Sequence, residues 1–548
     1  MSAKQQPVKQ ARFWQKASFL AANHMSTRNQ LTTQPRRCDA SIDLWSVDPR
    51  SASLFRISLG LLLFVHAVCH LRLYADLYSP AGVIPSVLLA SSNAIPQFPS
   101  LLTWLERSDA GFSVFVAAAA ISYTAMTIGW YTRLATAASL LVFSTICHRN
   151  PYLVIGSDEL TGSMLLWACL LPTAAHFSVD ARIGRRRTDI VGATDGPSRL
   201  AMFGALMQLS IVYFATALQK SGPTWWSDGS ALVRILGLTT YRLQGATILE
   251  SLPIPVLAGL SRTVVLVEYA IPLLILSPFG QPCLRRLAIV CIAGLHIGIS
   301  LTVNTGLFSL TMLAMIPLLL SHRDFERLAQ IAGRANVVVD HCNAPKSIPR
   351  RVTRRPWGPE IIAMFLLLGF AQQNWNMTFA PKDWRVQDSP ITLPWRFAAA
   401  VQRWNMFAPD PPAYDAHITV QIIDRDGSSS TVWNSHSFAA RHGVRQIDRT
   451  NFLWKVYMQK ASLMLDKERQ TEGANLRHAI CRFFAENSFG FSKQLPRENS
   501  HSDPHSSVEQ VELWVEWIPT VPTPPERPAI EAECVARYTP VSETNKPE

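Results

Sequence analysis

The chain reads as an all-α polytopic membrane helix bundle, with about eight or nine transmembrane helices, followed by a small extracytoplasmic α+β domain. Three observations predict this. The 548 residues are 48% hydrophobic and 16% charged with a mean hydropathy of +0.12, too apolar for an ordinary soluble protein and too charged to lie wholly in a bilayer. Apolar runs close to spanning length recur as far as residue 373, and from Trp375 onward the pattern changes to alternation with period two.

Residues 1–50 are polar and basic and read as a disordered cytoplasmic tail, without the apolar core and small-residue cleavage site of a signal peptide. Within residues 51–373, apolar runs at 53–71, 112–129, 134–147, 161–177, 199–218, 263–278, 286–303, 304–320 and 359–373 give nine candidate helices. Several fall short of the roughly 20 residues a span needs, so they borrow flanking residues, tilt or re-enter.

Charge supplies the orientation. The connections 1–52, 130–133, 178–199, 279–286 and 321–358 hold 24 Lys and Arg, whereas 72–111, 148–160, 219–262 and the turn near Asn304 hold 7. By the positive-inside rule the N-terminus is cytoplasmic and, after nine spans, the C-terminal region lies outside an inner membrane. The clusters Arg185-Arg186-Arg187 and Arg350-Arg351 with Arg354-Arg355 read as topology determinants, with anionic-lipid contact as the second use.

Residues 374–540 form the outer domain. His417–Ile423 alternates, Asp426-Gly427 supplies a turn, and Thr431-Val432-Trp433 returns. Helical spacing follows over 452–466 and 474–485, then strands over 511–517 and 530–538, with a proline-rich linker over 520–528 and a short disordered tail at 541–548. The Trp404–Pro412 segment at the foot of this domain reads as a structural joint.

Several classes are disfavoured. The net charge of +12 comes from residues crowded into loops, as membrane topology produces, so nucleic acid is not an expected partner. Nine scattered cysteines form no CxxC pair and no metal-like spacing, so no metal centre is expected; Cys481 and Cys534 could pair outside. No internal repeat supports a transporter.

Polar residues at membrane depth mark the candidate site. His66, His70, His148, Asp158, Glu159, Lys220, Glu268, His296 and Asn304 all fall toward the outer leaflet. Taken singly, His70, His148, Asp158 and Glu159 read as interfacial, and Arg56 as an anchor snorkelling to the cytoplasmic side. Glu268 and His296 stand inside apolar runs, where an uncompensated charge costs roughly 2–3 kcal/mol. Lys220 ends the fifth run and precedes Ser221-Gly222-Pro223-Thr224-Trp225-Trp226. A desolvated lysine there can serve as a general base, whereas an adjacent Glu268 would favour its charged form.

Tyr78-Ser79-Pro80-Ala81-Gly82-Val83-Ile84-Pro85, Arg149-Asn150-Pro151-Tyr152 with Gly156 and Asp158, Leu171-Pro172 with His176-Phe177-Ser178-Val179-Asp180, and Ile211-Val212-Tyr213-Phe214 leading to Lys220 and Trp225 carry a family resemblance. Together with His296, Gly306–Leu310 and Arg403–Pro412, they resemble the HTTM (horizontally transferred transmembrane domain) family, over roughly residues 50–415. That membrane domain is shared by vitamin K-dependent gamma-carboxylases and many bacterial proteins.

The resemblance implies a carboxylase-like helical core in which Lys220 matches the base that deprotonates reduced vitamin K. The match departs at Gln219, where carboxylases carry a second lysine, and at Asn150-Pro151-Tyr152, where their catalytic histidine falls, with His148 close but out of register. On this reading Lys220 is the base, His148, Glu268 and His296 assist, and the cofactor is a reduced quinone such as vitamin K hydroquinone or another lipid-soluble molecule entering from the bilayer. The competing class is a non-catalytic anchor, assembly or immunity protein with an unidentified protein partner, and behind it a proton-coupled transporter.

Overall fold

The computed structural model describes residues 47–84, 98, 100–105, 108, 110–184, 198–331, 357–380, 389–435, 450–462, 470–492, 508–521 and 531–540. The N-terminal tail before 47, both arginine clusters, most of the proline-rich linker and the tail at 541–548 lie outside the described residues.

Each of the nine apolar runs has a helix at its position: α1 Pro49–Leu71, α2 Gly111–Ile128, α3 Thr132–Arg149, α4 Gly156–Leu170, α5 Arg199–Gln219, α6 Ile254–Leu276, α7 Cys283–Thr302, α8 Phe308–Met315 and α9 Gly358–Asn374. Five of them, α1, α2, α5, α6 and α7, are long and apolar enough to cross a membrane. α8 runs on into a 3₁₀ turn at Ile316–Leu319 and α9 into a π-turn at Trp375–Phe379. On α6 and α7 the outward positions Leu266, Leu273, Val290, Ile297 and Leu301 are exposed and apolar, a surface that lipid solvates and water does not.

Local chemistry explains where the helices begin and end. Asp48 accepts the Arg50 amide and Pro49 fills the first position of α1. α2 stops at Gly129, which adopts φ +73°, and a Cβ there would stand 1.9 Å from Arg56 Nη1. Arg56 is fully buried and does not snorkel. Its guanidinium donates to the Met126 and Phe177 carbonyls at 3.1 and 2.7 Å, which satisfies the end of α2 and the loop after α4. Asp180 accepts the Tyr131 and Thr132 amides at 3.0 and 2.8 Å and so starts α3.

The chain between α9 and the sheet enters the bundle. Trp395, Ala398, Gln402 and Trp404 are buried, and a Cβ on Gly162 of α4 would collide with the Ala398 carbonyl at 1.8 Å. Gln402 exchanges hydrogen bonds with Gln208 at 2.9 and 3.2 Å and donates to Ser163 at 2.8 Å, while Glu159 accepts the Arg403 amide at 2.7 Å. Irregular backbone is tolerated inside a helical bundle because protein partners replace water in this way.

The C-terminal part holds a four-stranded antiparallel sheet, β1 Tyr414–Asp424, β2 Ser429–Asn434, β3 Val508–Pro519 and β4 Glu531–Tyr538, in the order β2-β1-β3-β4. Gly427, at φ +81°, makes the hairpin turn expected at Asp426-Gly427. The pairing Val420↔Leu513 puts Ile418, Val420, Leu513 and Val515 on the buried face. α10 Thr450–Ser462 and α11 Gln470–Ser492 cover it through Tyr457, Ile480 and Phe484. Cys481 and Cys534 are free thiols.

The sheet domain sits on two loops of the helical part. Asp415 accepts the Thr240 amide and the Thr239 hydroxyl, each at 2.9 Å, and Lys455 Nζ donates to the Thr240 carbonyl at 2.8 Å. Lys460 Nζ donates to the Val154 carbonyl at 2.7 Å, and the Tyr152 and Tyr241 hydroxyls bond Glu472 and Gln459.

Candidate functional site

Lys220 follows the last turn of α5, its amide accepted by the Thr216 and Ala217 carbonyls, and the Gly222–Trp226 turn folds back over it. Trp226 Nε1 donates to the Lys220 carbonyl at 2.8 Å, and the buried Trp225 ring lies 4.8 Å from Nζ, within cation–π range. The turn is held from the other side by the Trp404–Pro412 segment. The Gly222 amide donates to the Pro409 carbonyl at 3.1 Å, the Thr224 amide to Asp410 at 3.0 Å, and Trp225 Nε1 to the Phe407 carbonyl at 3.0 Å. The expected joint is therefore also the wall of the lysine site.

Glu268 belongs to the inward stripe of α6, formed by Leu257, Ser261, Val265, Glu268, Ile271 and Ile275. Pro272 follows one turn later and has no N–H, so the Glu268 backbone carbonyl loses its helical donor. Both carboxylate oxygens of Glu268 accept from Lys220 Nζ, at 2.5 and 2.7 Å, and both residues are about as buried as core leucines, at 6% and 4% exposure.

His296 lies on the inward stripe of α7 with Ala288 and Ile292. Its Nε2 is 2.9 Å from the Tyr213 hydroxyl, Nδ1 has no hydrogen-bond partner, and its ring packs against Phe308. His296 is within electrostatic reach of Lys220, and Tyr213 of Glu268. Three helices thus bring a lysine, a glutamate, a tyrosine and a histidine into one buried polar cluster, walled by Trp225. Such a cluster can move a proton between Lys220 and Glu268 without water.

His148 stands apart from this cluster. In the last turn of α3, its Nε2 lies 3.0 Å from the Phe397 carbonyl and its ring packs on Phe98. Tyr213, absent from the sequence-based candidates as a functional side chain, is brought in by helix packing; its place four residues from Ala217 on the Lys220 helix was the available signal.

The residues read singly as interfacial are buried in protein. His70, Asp158 and Glu159 are 4%, 2% and 6% exposed, because the 393–405 segment and the sheet domain cover helix ends that a bare bundle would leave wet. Glu159 holds the Arg403 amide, whereas Asp158 caps α4 through the Ile155 amide at 2.9 Å and faces His66. The stretches that carried the family resemblance thus have structural jobs: Asp180 starts α3, Asp158 starts α4, and the Asn150 side chain donates to the Leu77 carbonyl at 2.8 Å.

Comparison with known proteins matches residues 45–323 to the HTTM domain, just over half of the chain. No curated protein and no solved structure matches it. The match begins just before α1 and ends just beyond α8, so it contains Lys220, Glu268, Tyr213 and His296. Its five membrane-length helices fit a multi-pass membrane protein in contact with lipid. The chain belongs to the HTTM domain family.

Proposed function

We propose that the protein is a multi-pass inner-membrane enzyme in which Lys220 acts as a general base on a lipid-soluble quinol or a similar amphiphile, with Glu268 as its proton partner. The observation that carries this reading is the two-point contact of Lys220 Nζ with Glu268 in a buried site walled by Trp225. A proton passing from the ammonium to the carboxylate leaves a neutral amine and a neutral acid, and a low-dielectric interior favours that uncharged pair more than water does. The amine can then take the proton of a quinol hydroxyl, and when Glu268 gives up the proton it already holds, with the Tyr213–His296 pair nearby as its acceptor, the ammonium–carboxylate pair is restored.

The topology proposed with this reading has all nine helices spanning, the N-terminus cytoplasmic and the sheet domain extracytoplasmic, following the Lys and Arg asymmetry. His148 is retained as a peripheral helper, held near the bundle by the Phe397 carbonyl.

The test is incubation of the purified protein, in air, with reduced quinones and labelled bicarbonate, followed by analysis for quinone epoxide and labelled product. Lys220-dependent epoxide supports the reading. Its absence under conditions where an authentic gamma-carboxylase turns over would overturn the quinol assignment.

A further inference from the structure

We propose that His66, His70 and Asp158 form a binding site for one divalent first-row transition-metal ion, independent of the Lys220 chemistry. The two histidines lie four residues apart in the last two turns of α1, so helical geometry places both rings on one face. Asp158 enters from the first turn of α4. One donor atom from each residue lies within 4.8 Å of the other two, and all three side chains are buried.

The internal hydrogen bonding leaves the right atoms uncommitted. Asp158 Oδ2 accepts the Ile155 amide at 2.9 Å, which fixes the carboxylate and turns Oδ1 toward His66. His66 Nε2 pairs with that oxygen at 3.2 Å, a contact a cation between them would replace, and His66 Nδ1 has no hydrogen-bond partner. His70 commits Nδ1 to the Tyr78 hydroxyl, which leaves Nε2 as the ligand nitrogen. Metal-bound histidines are oriented in this way, with the second ring nitrogen held by an outer partner.

The spacing fits a small ion. Two donors bound to one zinc-sized ion at about 2.0–2.1 Å stand about 3.2–3.5 Å apart, so donor atoms that here lie within 4.8 Å of one another must draw together on the ion. The rings of His66 and His70 stack at 4.1 Å, and Phe143 packs on His66 at 4.9 Å. The site is buried, and a carboxylate there gains from a cation at Oδ1. Two imidazoles and one carboxylate are a nitrogen-rich set that suits zinc, iron(II), cobalt(II) or manganese(II) over calcium or magnesium, and they leave at least one coordination position open.

The experiment uses the full chain, purified in detergent with any affinity tag removed, stripped with chelator and dialysed against zinc or cobalt(II). One metal ion per chain is expected, with cobalt(II) absorption typical of nitrogen and oxygen donors. Tyr78→Phe, which removes only the outer partner of His70, should weaken binding by about 10–100-fold. His70→Gln and Asp158→Asn should weaken it further. Failure of the folded wild-type chain to retain stoichiometric metal would overturn the site, as would equal binding by Tyr78→Phe and Asp158→Asn. Should a ligand variant fail to fold, wild-type stoichiometry and the Tyr78→Phe affinity still decide the matter. Both readouts are independent of quinone turnover, so this site can stand or fall apart from the proposed enzyme activity.

Discussion

Lys220 of the α5 terminus and Glu268 of α6 form a two-point contact, Nζ lying 2.5 and 2.7 Å from the carboxylate oxygens, with both side chains buried. A contact of this kind is either a brace between two helices or a stored proton, and the two roles respond differently to substitution. Removing one partner leaves a buried uncompensated group, at a cost of about 3–5 kcal/mol, whereas replacing both by apolar side chains is often neutral. Lys220→Met and Glu268→Leu should each lower the thermal unfolding temperature in detergent, and the double variant should recover most of the loss.

Activity should not recover with stability. Lys220→Ala, Lys220→Arg and the double variant are all expected to abolish epoxide formation, because arginine stays protonated and cannot supply a neutral amine. Retention of turnover by Lys220→Arg would assign the lysine to the helix joint alone.

Gly222 is the tightest point of the wall around Lys220. A Cβ at this position would stand 2.1 Å from the Asp410 carboxyl group, which also receives the Thr224 amide. Gly222→Ala should displace Asp410, loosen the Trp225 turn and cost about 1–3 kcal/mol, read as a lower unfolding temperature. An unchanged melting curve would mean that the Trp404–Pro412 segment does not hold the turn.

Docking of the sheet domain should weaken in acid. Burial pushes the Asp415 carboxyl up, but hydrogen bonds from His417, the Thr240 amide and the Thr239 hydroxyl outweigh it and hold the group below its ordinary value of 3.8. A carboxyl lowered on folding contributes its stability above the unfolded value, and that contribution is lost as pH falls through the folded one. Wild-type docking should therefore hold at pH 5 and above and decline below pH ~4. Asp415→Asn should cost about 1.5–3 kcal/mol at neutral pH and remove that acid-sensitive component, as followed by limited proteolysis across pH.

Orientation can be tested with reporter fusions. Alkaline phosphatase, which is active only outside the cytoplasm, should be active when fused after Glu548 and inactive when fused in the 321–358 connection. The reverse pattern would invert the proposed topology and move Lys220 to the cytoplasmic face.

Most of the architecture was legible in the chain because helix and strand periods are local properties. Each of the nine apolar runs corresponds to a helix, and the period-two stretches at 417–423 and 511–517 lie in adjacent strands. Boundaries were less legible. α6 begins at Ile254, nine residues before its apolar run at 263–278, because Ser261 and Arg262 continue the helix: Ser261 accepts the Leu232 amide and Arg262 donates to the Trp226 and Ser227 carbonyls. Among the described residues five helices meet the length and apolarity of a span, and hydropathy averaged over a short helix cannot tell a tilted span from a helix buried in protein.

By itself, the sequence determined a family, a membrane-type helical part followed by a small antiparallel sheet, and the selection of Lys220, Glu268 and His296 as residues out of place in apolar runs. It also supplied the objection that a glutamate beside the lysine would keep it charged. Tertiary structure decided which of these polar residues meet. It joined Lys220 to Glu268, added Tyr213 to His296, set His148 on the Phe397 carbonyl, and brought Asp158 to His66 and His70. The physical reason is the range of the forces involved. Hydropathy and periodicity are written along a few turns of chain, whereas a buried polar contact depends on which faces of distant helices pack together, and that is set by the whole core at once.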